Sequence, residues 1–286
     1  MNFSEKKLLI VGHLAKDIVR TQYGGASYWG GGGYHVALAA AFYLLKGRVI
    51  LKSTAGRDFN FSHLVRAGVD VSQVKIDRKV KTDQHWLNEM ASERIYRSEG
   101  GLSQDINLLD LKLSSKEIGW IHFASTPPQQ QSEWLKQIKI LGWESIPRSC
   151  DTFDTFAREY SDLVRGVMEN CSLGFANEEE WLAIGGRKIK VKTVLKLGKY
   201  GAEIYDKGQR LIKVSTKKVE MVKDTTGAGD IVAGIYLALR LCNVSEEDSL
   251  TEACRVATMS IEEFGTVHLI GRVGLGNNFA IDTDGN

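Results

Sequence analysis

The sequence predicts an α/β fold, a central and mostly parallel sheet sandwiched by helices, and three observations carry that expectation. Lys7-Leu8-Leu9-Ile10-Val11-Gly12 is a continuous apolar run closed by glycine, which suits a strand buried on both faces of a parallel sheet. Strand-like and helix-like segments then alternate at lengths that fit right-handed crossovers. Around residues 80–97 the rhythm breaks into short mixed runs, the pattern of an exposed hairpin, so a small β lid is expected at about residues 79–98.

Taken in order, the first strand leads into a glycine cluster read as a loop. Residues 33–45, dense in alanine and leucine, then read as a buried helix. Residues 49–54 read as a strand, 59–67 as a helix, 119–124 as a strand, 132–141 as a helix and 146–150 as a strand. The alternation continues through 173–176, 177–184 and 193–197. The lid hairpin turns at Ala91-Ser92-Glu93. Residues 202–205 and 211–214 form hairpin-like strands, and two helices follow, 228–241 and 246–264, the second stopped by Gly265. The tail from Gly274 is expected to fray. One domain is expected over residues 1–286.

Composition narrows the function. The 286 residues are 43% hydrophobic and 25% charged, and 37 basic residues against 35 acidic ones leave a formal charge of +2, so no electrostatic footprint for nucleic acid exists and any bound anion must be held locally. Cys150, Cys171, Cys242 and Cys254 make no metal-ligand spacing. The N-terminal apolar run is too short for a signal core or a membrane span, and a cytoplasmic protein without membrane partners is expected.

The most informative stretch is Asp224-Thr225-Thr226-Gly227-Ala228-Gly229-Asp230 at the start of a helix. Two glycines and an alanine let a ligand approach the backbone, while the free N–H groups and dipole of a helix start offer a cradle for phosphate. Asp230 would project beside it, where a carboxylate suits removal of a proton from a hydroxyl attacking phosphorus. The plain alternative is that Asp224 or Thr226 caps the helix and the glycines only make the turn.

These residues match the D-T-x-G-A-G-D signature of the ribokinase-like (PfkB) carbohydrate kinases. Gly30-Gly31-Gly32-Gly33 before an alanine-rich helix resembles that family's N-terminal glycine motif, and Gly12 followed by Asp17 is similar to its first substrate-contacting loop. Asn177-Glu178-Glu179-Glu180 resembles its N-x-x-E motif, and Gly198 with Gly201 its nucleotide-side glycine pair. The matches keep the family's order from about residue 7 to 265.

The resemblance implies an ATP-dependent kinase acting on a hydroxyl of a neutral sugar or sugar derivative, with a nucleoside kinase or a non-catalytic relative as alternatives. Asp230 would be the base, and Gly227, Ala228 and Gly229 would hold the migrating phosphoryl group. Lys196, Gly198, Gly201 and Thr226 would line the nucleotide, and the adenine would lie near the helix that ends at Gly265. Asn177 and Glu180 would order Mg2+ with its waters, although the same pair is also a capping box. The resemblance also allows a monovalent cation near Asp224 and Thr226.

On the acceptor side it implies Asp17, Gly31, Gly32 and His35, with Gln84 and Trp86 reaching over from the lid. Asp17 would accept two hydroxyl hydrogen bonds, its charge favouring a neutral polyol; a surface aspartate is the plain alternative. Trp86 can equally be hairpin core, and His35 a packed histidine. In a nucleoside kinase, Trp86, Tyr34 or Phe123 would stack on the base. The departures lie on this side. His35 stands where many members carry asparagine, Ala55-Gly56-Arg57-Asp58-Phe59-Asn60-Phe61 lacks a final glycine, and Cys150-Asp151-Thr152-Phe153-Asp154 lacks a following asparagine and arginine. An unpaired lid edge also offers a homodimer contact.

Overall fold

The computed structural model describes residues 5–90 and 93–272. Its first half runs β1 (Lys7–Val11), β2 (Ala15–Thr21), β3 (Gly24–Gly30), α1 (Gly32–Ala41), β4 (Val49–Gly56), α2 (Ser62–Ala67), β5 (Val74–Asp77), β6 (Asp83–Met90), β7 (Glu93–Glu99) and β8 (Ile118–Phe123). The second half runs α3 (Pro128–Ile140), β9 (Arg148–Asp151), α4 (Asp154–Glu159), α5 (Ser161–Glu169), β10 (Leu173–Asn177), α6 (Glu178–Ala183) and β11 (Thr193–Lys196). It ends with β12 (Ala202–Asp206), β13 (Gln209–Val214), α7 (Ala228–Leu241), α8 (Glu246–Ser260) and α9 (Leu269–Arg272).

Nine strands form the main sheet in the order β13-β12-β11-β10-β9-β8-β1-β4-β5. Seven of them, from β11 to β5, are mutually parallel, and the β12–β13 hairpin closes one edge antiparallel. The apolar run of β1 feeds both faces of this sheet. Leu8 and Ile10 join a core with α1, α2, α7 and α8, while Leu9 and Val11 join a second core with α3, α4, α5 and α6. A strand sandwiched between two helical layers has no solvent face and so needs no polar alternation. Among the described residues no helix is long and apolar enough to cross a membrane.

Several boundaries have local causes. Pro128 starts α3, four residues before the expected position, because its missing N–H is no loss in a first turn. Gly68 ends α2 in the left-handed conformation. The helix expected over 246–264 stops earlier: α8 ends at Ser260, and the following backbone returns to take part in the site.

The lid is larger than the expected hairpin. β6 and β7 are there, although Ala91 and Ser92 of the expected turn lie outside the described residues, as does the tail from Gly274. The sheet, however, has four strands in the order β3-β2-β6-β7. β2 and β3, within and just before the glycine cluster read as a loop, supply the other half, with β2 parallel to β6. Asp17 therefore sits in the middle of a strand, opposite Tyr28 on one side and His85 on the other. β5, α4 and α5 are also additions to the sequence reading.

Candidate active site

Parallel strands deliver their C-terminal ends to one edge of the sheet, where ligands of open α/β folds bind. Asp151 of β9, Asn177 of β10 and Lys196 of β11 meet there, facing the N-termini of α1 and α7 and roofed by the lid.

The phosphate-side turn is built around Gly227, which caps α7 with φ +76°. A Cβ there would lie 2.7 Å from His35 Cγ, so both the backbone angle and the close ring demand glycine. Helix starts leave the N–H groups of their first turn without intrahelical partners; of these, Ala228 N–H donates to Thr225 O at 3.2 Å. The loop is stapled by Asp224, whose Oδ1 accepts Thr226 N–H at 2.9 Å and whose Oδ2 accepts Gly265 N–H at 2.9 Å and the hydroxyl of Tyr28. Burial and the adjoining Asp224 push the Tyr28 phenol well above its ordinary range, keeping it a donor. Thr225 Oγ1 donates to Glu89 Oε1 at 2.8 Å. Tyr28 comes from β3 and Glu89 from β6, so the lid is tied to the phosphate loop at two points.

Asp230 lies in the first turn of α7, and a Cβ on Gly32 would sit 3.5 Å from its Oδ1. Its carboxyl is pushed up to about 7, first by burial and then by the Asp151 and Asp17 charges, against the lowering effect of His35 and Lys196. A carboxyl poised there changes protonation near neutral pH, as a general base must.

Lys196 reaches toward the same turn: a Cβ on Gly229 would lie 3.2 Å from its Nζ. It is held by both oxygens of Asp151, at 2.8 and 2.7 Å. Burial favours its neutral form, but Asp151, Glu180 and Asp230 outweigh that and keep it an ammonium. Asn177 and Glu180 form a complete capping box on α6. Glu180 N–H donates to Asn177 Oδ1 at 2.9 Å, and Asn177 returns its backbone N–H to Oε2 at 2.7 Å and its side-chain amide to Oε1 at 2.8 Å. Burial pushes the Glu180 carboxyl up to about 7, with Lys196 opposing. Gly198 and Gly201 flank a short turn after β11 with φ +55° and +98°.

On the acceptor side Asp17 is 1% exposed. Its Oδ2 accepts His35 Nε2 at 3.1 Å and Gly31 N–H at 3.2 Å, and its Oδ1 accepts His85 Nδ1 at 3.2 Å. Burial alone would raise the carboxyl; the two histidines reverse that and hold it well below the usual range. His35 Nδ1 bonds Thr266 Oγ1 at 3.1 Å, and although burial disfavours its charged form, Asp17 lifts its pKa. The site so sets Asp17 beside a histidine whose protonated form it favours. His13, pushed down to about 3 by burial and then by His85, is a neutral ring whose Nε2 accepts Gly32 N–H at 3.3 Å.

Gln84 and Trp86 do not share this face. The pleat buries Asp83, His85 and Leu87 on the side of Asp17 and turns Gln84 and Trp86 outward, with Arg97 5.6 Å from the Trp86 ring centroid. Gln84 and Trp86 therefore lie on the face of β6 opposite to that of Asp17. Tyr34 and Phe123 are buried in the two cores, so neither these nor Trp86 is placed to stack on a base. The aromatic ring beside His85 is Tyr96 of β7, 5.4 Å from His85 and 4.9 Å from Phe153 between ring centroids. His13, His85, Tyr28 and Tyr96 escaped sequence reading; the strand alternation of 15–21 and 83–90 is the signal that could have found His85 opposite Asp17.

The family model described as pfkB family carbohydrate kinase matches residues 5–270. A cytidine kinase of Thermococcus kodakarensis is 26% identical over 257 residues, covering 81% of this chain and 87% of that protein. Among solved structures, a Burkholderia thailandensis nucleoside kinase in complex with inosine is similar with a TM-score of 0.77 at 17% identity, over 91% of this chain and 93% of the other. A Cryptococcus neoformans ribokinase in complex with ADP gives 0.74 at 19%, over 94% and 98%. The fold is ribokinase-like, and the chain belongs to the pfkB family of carbohydrate kinases, phosphotransferases.

Proposed function

We propose that this kinase transfers the γ-phosphoryl group of ATP to a hydroxyl of a ribose-bearing acceptor, a nucleoside before a free sugar. One observation supports the chemistry above the rest. Asp230, with its carboxyl near neutrality, stands at a helix N-terminus directly across from the glycine turn that borders Asp17. In this reading Asp230 takes the hydroxyl proton, the oxygen attacks the γ-phosphorus, and the bond to the bridging oxygen breaks to release ADP. The N–H groups of 227–229 and the Lys196 ammonium stabilise the charge on the moving group, which is most of what phosphoryl transfer requires.

The side-chain oxygens of the buried Glu180 and of Asn177 are engaged with one another in the capping box, and among the described residues no cluster of three or more acidic, histidine or cysteine side chains could hold a metal by itself. The metal role rests on the family resemblance, in which a hydrated Mg2+ would arrive on the nucleotide with Glu180 and Asn177 holding its waters. Bound there, Mg2+ would neutralise phosphate charge. The oxygens of Asp224 are taken up by three donors of the chain, so a monovalent cation near Asp224 and Thr226 rests on the family resemblance alone.

The nucleoside is favoured over the free sugar by the Tyr96–Phe153 wall beside His85, a surface suited to a flat ring, and by the likeness to a cytidine kinase. ADP release with a panel of nucleosides and sugars tests this: turnover of nucleosides is expected, and turnover confined to free sugars refutes it. The outward lid face, with Ile18, Trp86, Met90 and Ile95, fits a lid-to-lid homodimer, which a size-exclusion mass of one chain would exclude.

A further inference from the structure

His35 stands between the two halves of the site. It belongs to α1, is 2% exposed, and has both ring nitrogens engaged by the chain. Nε2 bonds Asp17 Oδ2 at 3.1 Å, in the lid strand β2, and Nδ1 bonds Thr266 Oγ1 at 3.1 Å, in the backbone between α8 and α9. Two glycines leave room for this ring and nothing more. A Cβ on Gly30 would lie 2.9 Å from Nε2, and one on Gly227 would lie 2.7–2.8 Å from Cγ, Cδ2 and Nδ1, well inside the about 3.5–4.0 Å at which non-bonded atoms rest. Gly30 ends β3 on the acceptor side, and Gly227 caps α7 on the phosphate side. A planar ring bonded at both nitrogens and gripped along its edges cannot turn or slide without moving its neighbours, because a close-packed interior transmits displacement.

The asparagine that many members of the family carry at this position offers one amide on a shorter side chain, which does not span Asp17 and Thr266 while filling the space beside Gly227. Asp17 Oδ2 also accepts Gly31 N–H, so both of its donors come from the start of α1. Oδ1 accepts His85, and since a carboxylate oxygen takes about two donors, it has capacity for an acceptor hydroxyl. The oxygen held by α1 thus sets the angle of the carboxylate that the acceptor meets. Resting on the function proposed above, we infer that His35 is a positioning residue whose ring sets the span between an acceptor held at Asp17 and the turn that receives the phosphoryl group. Phosphoryl transfer depends on that span, because the reacting atoms must meet in line at about 3–3.5 Å, and misplacement by about an ångström can cost about a hundredfold in rate.

Two substitutions separate this from a purely structural role. His35→Gln keeps an amide able to reach Asp17 but gives up the bond to Thr266 and the ring beside Gly227. Thr266→Val removes only the partner of Nδ1, with a side chain of nearly the same shape. Turnover is measured with cytidine and with D-ribose, counting phosphorylated acceptor and ADP separately, and binding of a non-hydrolysable ATP analogue is measured by calorimetry. For His35→Gln, kcat per analogue-binding site should fall by about tenfold or more, the acceptor KM should rise by about threefold at most, and the Kd of the analogue should stay unchanged. Less phosphorylated acceptor per ADP is expected as well, since a misaligned acceptor lets water take the group. Thr266→Val should lower kcat by about threefold. A side chain that only supported the fold would lower the active fraction and leave kcat per site and the product ratio as they were. In the wild type, the His35 ring nitrogens, identified by their loss in His35→Gln, should change chemical shift when the analogue binds alone and when either acceptor binds alone. A ring that answers to at most one of the two kinds of ligand, an acceptor KM that rises with kcat unchanged, or a pair of variants that behave as the wild type overturns the inference. A ring that answers to both without any phosphorylated acceptor sinks the kinase reading instead and leaves the His35 link standing.

Discussion

The two halves of the site are made of different material. On the phosphate side the working surface is backbone: a left-handed glycine, the first turn of α7, and a loop stapled by Asp224, with Asp230 and Lys196 as the charged additions. On the acceptor side the surface is side chain, a carboxylate wrapped by His35 and His85 with His13 and Tyr96 around them, on a sheet whose pleat decides which residues face inward. Phosphate is the same in every substrate of such an enzyme, so a backbone cradle can be kept; the acceptor varies, and side chains are where variation is cheap. The halves still touch, because the ring that holds Asp17 also packs on Gly227.

The largest expected effect strips the phosphate side of its base. Asp230→Asn should lower kcat by about a thousandfold while an ATP analogue still binds, as steady-state kinetics and calorimetry would show. In the wild type, kcat/KM should fall as pH drops below about 7, where Asp230 takes up its proton. The stability consequence has the opposite sense. Because the folded carboxyl titrates near 7 instead of at its usual 3.8, its favourable contribution is full below the lower value and lost as pH rises through the higher one. Thermal melts should therefore find Asp230→Asn more stable than the wild type at pH 8 and not at pH 3.5.

Next in size is Gly227→Ala, which places a Cβ at φ +76° against the His35 ring and should cost about 1–3 kcal/mol in denaturant unfolding. If the two halves are coupled through His35, the same variant raises the acceptor KM although it lies on the phosphate side; a rise in the ATP KM alone would show them independent. Tyr28→Phe removes one donor from Asp224 and loosens one of the two ties between lid and loop. Its expected cost is about 1–2 kcal/mol, with kcat reduced more than either KM. Smallest of all, Trp86→Ala should leave both KM values unchanged, since that ring lies on the outer face of β6; a raised acceptor KM would restore the register first read from the sequence.

The same contrast explains what the sequence made legible. The main sheet was readable because doubly buried strands carry apolar runs such as 8–11 and 49–51, and the helix after the glycine cluster is dense in alanine. The 224–230 turn was readable because backbone function demands glycine at set positions. β2 and β3 were not, since Ala15–Thr21 alternates around a buried aspartate and Gly24–Gly30 carries three glycines, which looks like loop composition. β3 pairs only with β2, and β2 in turn is held by β6, a partner 68 residues away in sequence that no local pattern reveals. The His13, His35 and His85 arrangement was hidden for the same reason, as three isolated histidines meet only after register is set. Asn177 and Glu180 show the reverse case, a motif whose plain reading as a capping box is realised in full while its metal-side reading remains a proposal.

The central claim is that the α7 N-terminus receives the phosphoryl group with Asp230 beside the attacking hydroxyl. A crystal structure with a non-hydrolysable ATP analogue and an acceptor nucleoside tests it most directly. The γ-phosphorus is expected against the N–H groups of residues 227–229, with one acceptor hydroxyl within hydrogen-bond distance of Asp230. A terminal phosphate lodged elsewhere, or Asp230 out of reach of every acceptor hydroxyl, would contradict the account.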